Sequence, residues 1–178
     1  TGWGSLRYTV GVYKDVLSTT VVQRELMQRE LDHFRWVRKV GEFQRNEGLT
    51  SLGVETDEHR CEFGKWYYSE ERRKAEAAMP EIAAVLARME EPHKKLHQSA
   101  VHLEAMLKRG PEARAEAVNY FAAETNVAMH TLQDLFTEIQ PILTKYNAGK
   151  QEHVNAVTAV LEAIVFFGSI FGVIIAVI

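Results

Sequence analysis

Four side chains in the sequence could bind one metal ion together: His33, Cys61, His93 and His97. His93 and His97 are the strongest pair, because residues four apart on a helix lie on one face and can reach the same ion. Imidazole nitrogens and thiolates are ligands that Zn²⁺ takes in closed tetrahedral sites. The residue types therefore predict a Zn²⁺ centre with three histidines and the only cysteine of the chain.

The candidate histidines follow the spacing of apolar residues on two predicted helices. His93 and His97 are in phase with a stripe made of Ile82, Val85, Leu86, Met89, Leu96, Ala100, Leu103 and Leu107. His33 is likewise in phase with Val22, Leu26, Val37 and Val40. Three inward imidazoles must each place two ring nitrogens, and a shared metal would do so. Taken singly, each could instead be a hydrogen-bonded core histidine, and a lone cysteine a small buried hydrophobe.

The other four histidines show no such pairing and are interpreted as surface residues: His59, His102, His130 and His153. His59 lies two positions from Cys61 and is the one best placed to replace a ligand.

The elements that must position these residues are predicted to be helices. The chain has 178 residues with only four prolines and eleven glycines, and long stretches are rich in helix-forming residues. We expect a first helix over about 5–45, a polar break over 46–59, a helix from Glu70 or Pro80 to Lys108, and a last helix with an apolar stripe. That stripe consists of Val118, Phe121, Thr125, Ala128, Leu132, Leu135, Ile139 and Ile142. The predicted fold is all-α, an antiparallel four-helix-type bundle with long first and last helices.

Charge and motifs exclude some classes of function. A net charge of −3, with no basic patch, argues against nucleic-acid binding. No carboxylate pair or nucleophile–base arrangement accompanies the histidines, so we expect no enzyme activity. A ferritin-like carboxylate site would need two Glu-x-x-His motifs on partner helices, and Glu90 with His93 gives only one.

The joined motifs resemble a known family. The pattern His33-x-x-Trp36, then Cys61-x-Phe63-Gly64-x-Trp66-Tyr67, then Pro92-His93-x-x-x-His97 is similar to the chemoreceptor zinc-binding domain, often called CZB, over about residues 20–145. The resemblance implies a helical bundle that binds zinc through His33, Cys61, His93 and His97. It also implies a homodimer attached to a signalling output.

The remaining motif residues are expected to surround the metal. Gly64 has no Cβ, so backbone can come close beside Cys61. Trp36, Phe63, Trp66 and Tyr67 offer large apolar surfaces that would keep water from the site. Ordinary core packing is an equally suitable role for these aromatic residues.

The two ends suggest a membrane context. From Val154 to Ile178 the only charged residue is Glu162, and the last sixteen residues carry no charge, which gives about 24 Å of helix. The start has no methionine and places Trp3 as an interface residue. We therefore expect four segments: 1–19, a lead-in after a first membrane span; 20–145, the zinc-binding bundle; 146–162, a connecting helix; and 163–178, the start of a truncated transmembrane helix.

These expectations combine into a function. The chain would be the zinc-binding sensory domain of a bacterial transmembrane chemoreceptor in the inner membrane, with the sensor periplasmic or, alternatively, cytoplasmic. Changes in zinc occupancy or oxidation of Cys61 would be passed to cytoplasmic signalling segments beyond the sequence given. The alternative is a structural zinc-stabilised dimerisation bundle, in a receptor or cyclase that senses another stimulus.

Overall fold

The structure is a computed structural model that describes the backbone of residues 2–177 and the side chains of residues 19–168. Within that part of the chain every regular element is a helix and there is no strand. The helices are α1 (Gly2–Val40), α2 (Glu62–Tyr67), α3 (Glu70–Ala78), α4 (Pro80–Leu107), α5 (Arg114–Tyr120) and α6 (Asn126–Val177). Short 3₁₀ turns occupy Gly41–Gln44 and Pro111–Ala113, and a π-helical segment spans Phe121–Thr125. The predicted all-α class, with long helices packed against one another, is confirmed.

Local chemistry explains where several helices begin and end. The Ser69 hydroxyl accepts a hydrogen bond from the backbone N–H of Arg72 at 3.3 Å and so caps α3. The sequence predicted one helix that starts at Glu70 or at Pro80. Both positions begin a helix, since α3 starts at Glu70 and ends at Ala78, and α4 starts at Pro80. Gly110 follows α4 with φ 110°, a conformation that favours glycine.

The π-helical segment changes which residues face the core. The predicted stripe included Val118, but that side chain is 38% exposed and Ala117 is buried in its place. A π-helical turn contains more residues than an α-helical turn, so the spacing before it is displaced by one position. The sequence pattern assumed one uninterrupted α-helix and therefore misplaced Val118.

The chain forms two compact units. One consists of residues 22–142, and the other of residues 1–21 together with 143–178. In the second unit the Thr19 hydroxyl donates a hydrogen bond to the side-chain oxygen of Asn147, and Leu143 and Val154 are buried. The domain boundaries expected from the sequence stay a prediction.

The 22–142 unit contains an apolar cluster of eight buried side chains: Val40, Phe43, Leu52, Ala100, Leu103, Leu107, Ala117 and Phe121. Seven of them belong to helical elements, and Leu52 comes from the 45–61 loop, the connection between the first 3₁₀ turn and α2. Glu104 holds this part of the loop, because its carboxylate accepts hydrogen bonds from the Leu52 N–H at 2.7 Å and the Ser51 hydroxyl at 3.1 Å.

The membrane context predicted from the sequence is not supported. Among the described residues, no helix combines the length and apolar character that crossing a membrane requires. The side chains of 169–178, which make up most of the predicted span 163–178, lie outside those described. The predicted inner-membrane localisation with a periplasmic sensor is therefore wrong.

Candidate metal centre

The structure brings the four predicted ligand residues together inside the 22–142 unit. His33 comes from α1, His93 and His97 from successive turns of α4, and Cys61 from the last position of the 45–61 loop. One potential ligand atom from each residue lies within 4.8 Å of those of the other three. His93 and His97 are fully buried and His33 is 4% exposed. Three chain segments thus meet at one enclosed cluster, which we call the His/Cys cluster.

Backbone carbonyls determine which ring nitrogen of two histidines is available. Nδ1 of His33 lies 2.6 Å from the carbonyl oxygen of Arg29, and Nδ1 of His97 lies 2.9 Å from that of Glu55. A carbonyl can only accept, so both Nδ1 atoms carry the proton and both Nε2 atoms keep a lone pair. Those two Nε2 atoms are buried and have no hydrogen-bond partner. Metal-binding histidines are commonly oriented in this way, with the nitrogen that faces away from the metal donating to a carbonyl oxygen.

His93 and Cys61 form the other half of the cluster. Nε2 of His93 is 3.2 Å from Sγ of Cys61, and Nδ1 of His93 is buried without a hydrogen-bond partner. Sγ of Cys61 also accepts a hydrogen bond from the Gly64 N–H at 3.2 Å. That donor favours the thiolate form of Cys61, which is the form that binds metals.

Burial keeps the three imidazoles neutral. It lowers the pKa of His33 to about 4 and, together with the neighbouring His33 and His97, lowers the pKa of His93 to about 2. The pKa of His97 is lowered for the same reason. Burial also raises the pKa of the Cys61 thiol. The histidines are therefore ready to donate lone pairs, whereas the cysteine must lose its proton when a cation binds.

The 45–61 loop supplies a contact that the sequence did not reveal. The carbonyl oxygen of Glu55 accepts two hydrogen bonds, from Nδ1 of His97 and from the indole N–H of Trp36 at 2.8 Å. The Trp36 and His97 rings are 5.1 Å apart. Trp36 thus acts on the cluster by positioning the loop and the His97 ring. A main-chain acceptor gives no signal in side-chain patterns, so Glu55 was missed, as was the Arg29 carbonyl.

Gly64 makes the approach of the loop to α2 possible. A Cβ at this position would lie 1.7 Å from the carbonyl oxygen of Glu58 and 2.8 Å from its carbonyl carbon. Both atoms belong to the backbone immediately before Cys61, so no side-chain movement could relieve the overlap. The absence of a side chain at Gly64 therefore lets the loop turn tightly enough to place Cys61 beside His93.

Aromatic rings enclose the cluster on one side. Phe63 is 1% exposed, and its ring lies edge-on to those of His93 and His33 at 4.9 and 5.8 Å. Tyr67 is buried against Phe63 and donates its hydroxyl hydrogen to the Leu86 carbonyl at 2.8 Å. Trp66 is half-buried and lies further out, 6.2 Å from the Phe63 ring.

Phe136 of α6 completes the apolar surroundings of the cluster. It is fully buried, 5.4 Å from the Phe63 ring and 6.4 Å from the His33 ring. The predicted stripe contained its neighbour Leu135 but not Phe136. The dense spacing of apolar residues there could have indicated a broader buried face.

The remaining histidines lie outside the cluster. His102, His130 and His153 are exposed. His59 stacks on the Tyr68 ring at 4.2 Å, and with Asp57 and Glu58 it forms a second group whose side chains could reach a cation. That group is largely exposed, as acidic surface residues commonly are without an ion. Glu90 is also exposed, and the His/Cys cluster contains no carboxylate.

The His/Cys cluster fits a zinc ion by its chemistry. Two atoms bound to one Zn²⁺ lie closer than the sum of their bonds, about 4.3 Å for sulfur and nitrogen, and the Cys61–His93 separation of 3.2 Å meets that limit. Each buried nitrogen left without a partner costs about 1–3 kcal/mol. The unpartnered Nε2 atoms of His33 and His97 would both be satisfied by one cation, which Nε2 of His93 and the neighbouring thiol could bind as well.

Comparison with known proteins agrees with this geometry. Residues 33–103, less than half of the chain, match the family model of the chemoreceptor zinc-binding domain, CZB. No curated protein and no solved structure matches the chain. The resemblance seen in the sequence is confirmed for this stretch, while a transmembrane receptor context is not supported. The stretch that contains His33, Cys61, His93 and His97 is thus similar to a zinc-binding domain of chemoreceptors.

Proposed function

We propose that this chain is a zinc-binding sensory module in which His33, Cys61, His93 and His97 are the metal ligands. One observation carries the proposal: three buried imidazoles with unpartnered nitrogens converge with the only thiol of the chain. Bound Zn²⁺ would hold the thiol as thiolate and join the four ligands in a closed tetrahedral set. A closed set leaves no position for a substrate, so we propose binding and signalling rather than catalysis.

The ligand residues would convert binding into a change of packing. His33 belongs to α1, His97 and His93 belong to α4, and Cys61 ends the 45–61 loop. When all four ligands are engaged, these segments are held in one arrangement, and when one is lost they are free to separate. Binding free energy that depends on arrangement shifts the equilibrium between packings. We propose that this shift is the signal passed to an output.

Cys61 is the ligand through which a chemical stimulus could act. Its side chain is half-buried, whereas His93 and His97 are fully buried. A two-electron oxidant would convert the thiolate to sulfenic acid and remove one ligand. Oxidation of Cys61 and exchange of zinc are therefore two stimuli for one site, and the affinity for zinc decides between them. A purely structural, zinc-stabilised dimerisation bundle would bind zinc tightly and respond to neither stimulus.

We further propose that the module is a homodimer. On α1, Met27 is 52% exposed, Leu31 is 50% exposed and Phe34 is 38% exposed. Their spacing of four and three residues places them on one face and matches the seam of paired helices. A second copy of this chain is a natural partner for such a face, since two identical stripes can pack against each other.

The zinc content of the purified chain tests the site. We expect about one zinc per chain by elemental analysis, and at least a hundredfold weaker binding in chelator competition for Cys61→Ser and His97→Ala. His102→Ala is a matched control, because His102 is exposed on the same helix. Unchanged affinity in both ligand variants, or loss of zinc in His59→Ala, would refute the assignment.

The stimulus and the dimer need separate tests. If zinc exchange is the stimulus, the dissociation constant should be close to the free zinc concentration around the protein. If oxidation is the stimulus, stoichiometric hypochlorous acid or peroxide should release zinc while Cys61→Ser protein does not respond.

For the dimer, Leu31→Glu should lower the molar mass measured by light scattering, and Val101→Glu, at a 51% exposed position of α4, should not.

A further inference from the structure

A cavity in the 22–142 unit lies apart from the His/Cys cluster. It has a volume of about 260 Å³ and is lined by Val37, Arg38, Gly41, Gln44, Arg45 and Phe121. Its walls come from the end of α1, the following 3₁₀ turn and the first residue of the π-helical segment. None of the four candidate metal ligands lines it, so the proposed function does not use this cavity.

The floor of the cavity is apolar. Phe121 is 8% exposed, and Val37 is half-buried beside it. A Cβ on Gly41 would lie 3.2 Å from Cζ of Phe121, which is tighter than ordinary contact. Because Gly41 has no Cβ, no side chain fills the space between this residue and the Phe121 ring, which lines the cavity.

Two arginines lie at the rim of the cavity. Arg38 and Arg45 are exposed, and neither takes part in an ion pair within the described part of the chain. Glu42 lies between them in sequence but forms no salt bridge with either. Two unneutralised guanidinium groups at one opening attract an anion, and a carboxylate is the group that arginine binds in bidentate fashion.

Two arginines close to the rim have partners within the protein. Arg35, one turn earlier on α1, pairs with Asp32 at 3.2 Å. Arg114 donates hydrogen bonds to the carbonyl oxygens of Asn46 and Glu47, both at 2.7 Å. Those guanidinium groups are satisfied within the protein, whereas Arg38 and Arg45 remain available to a ligand.

We propose that this cavity binds a small aromatic carboxylate. The ring would lie against Phe121 and Val37, with the carboxylate between Arg38 and Arg45 and the amide of Gln44 as a further hydrogen-bonding group. The size agrees, because an apolar cavity of about 150 Å³ is enough for benzene and 260 Å³ leaves room for a charged substituent. Such a ligand would contact α1 one turn after His33, so it could act as a second input to the same helix.

Benzoate, benzamide and acetate are suitable probes for the zinc-loaded full chain in calorimetric titrations. Benzamide has the ring without the charge, and acetate has the charge without the ring. We expect saturable binding of benzoate, with the other two probes at least about tenfold weaker, as loss of a charge-assisted contact or of the ring surface implies. Equal binding of benzamide would overturn the role of the arginines, and equal binding of acetate would overturn the role of the floor.

Variants locate the binding site. Arg38→Gln and Arg45→Gln should each weaken benzoate about tenfold, whereas Arg35→Gln, an exposed arginine of the same helix, should leave it within about twofold. Zinc content and unfolding temperature should be unchanged in all three, so a failure here is separable from a failure of the zinc site. No benzoate binding, or binding that both rim variants retain in full, would refute the proposal.

Discussion

The helix α4 contributes to two buried regions that achieve their stability differently. Its middle provides His93 and His97 to the His/Cys cluster, and its end provides Leu103 and Leu107 to the apolar cluster. Every apolar-cluster side chain is stabilised by leaving water, at about 1.5–3 kcal/mol for a large aliphatic residue. The His/Cys cluster instead leaves three buried nitrogens without partners. One region is complete as folded, whereas the other depends on something it binds.

This difference separates stability from responsiveness within one bundle. A region that is complete on its own holds the helices together under all conditions. A region that is complete only when bound can change its free energy with its surroundings. The pairing of the two along α4 lets the fold persist while local order near His93 and His97 varies.

Zinc removal should produce the largest effect and act on one region only. The comparison starts from protein in a free zinc concentration about a thousandfold above the dissociation constant for zinc. Removing that zinc with a chelator should lower the free energy of unfolding by about 4 kcal/mol. Hydrogen exchange should rise over 89–98 and change least over 103–107, since only the former surrounds the His/Cys cluster. A uniform rise along α4 would show that the two regions are not independent.

Gly64→Ala should disrupt the His/Cys cluster although Gly64 is not one of the four ligand residues. The new Cβ would overlap the Glu58 carbonyl, so the backbone before Cys61 must move, at a cost of about 3 kcal/mol and a large loss of zinc affinity. Chelator competition and urea unfolding would measure both effects.

Gly48→Ala is the matched control for this change, because a Cβ there meets nothing closer than 3.7 Å in the same loop. Wild-type zinc affinity in Gly64→Ala would contradict the role of the close approach.

Val40→Ala should damage the apolar cluster and spare the His/Cys cluster. Val40 is fully buried, and removing two methyl groups should cost about 2 kcal/mol of stability through lost burial and a small cavity. The zinc dissociation constant, measured well below the unfolding temperature, should stay within about twofold of wild type. A parallel loss of zinc affinity would mean that packing at Val40 is transmitted to His33.

Trp36→Phe should have the smallest effect and involve both regions. Trp36 packs against the apolar cluster and donates a hydrogen bond to the Glu55 carbonyl, which also accepts from His97. Phenylalanine keeps most of the ring but loses the donor, so we expect about 1 kcal/mol of lost stability and roughly fivefold weaker zinc binding. Stability loss with unchanged zinc affinity would restrict Trp36 to packing.

Much of the helical framework was predictable because periodicity is a property of side chains. The stripe through Ile82, Leu96 and Leu103 gave the buried face of α4 and placed His93 and His97 on it. Composition predicted the all-α class as well. The convergence of Cys61 with these histidines was indicated by residue type and by family resemblance.

The parts that escaped prediction depend on the main chain or on segments without a period. The polar 45–61 segment gave no indication that Leu52 would be buried in the apolar cluster. The π-helical segment moved Val118 outward, because a one-residue change of phase has no signature in composition. The membrane interpretation is not supported, because no helix among the described residues has the length and apolar character of a span.

The double acceptor at Glu55 has a consequence for how this protein tolerates sequence change. Its two hydrogen bonds go to a main-chain oxygen, which every amino acid possesses, although the Glu55 carboxylate also accepts hydrogen bonds from the Thr56 and Asp57 N–H groups. An insertion or deletion between Trp36 and Cys61 would instead move another carbonyl into place, or none. The contact to Trp36 and His97 therefore depends on the length of the 45–61 loop as well as on its side chains, and a series of single-residue deletions in the loop would reveal this dependence where a substitution scan would not.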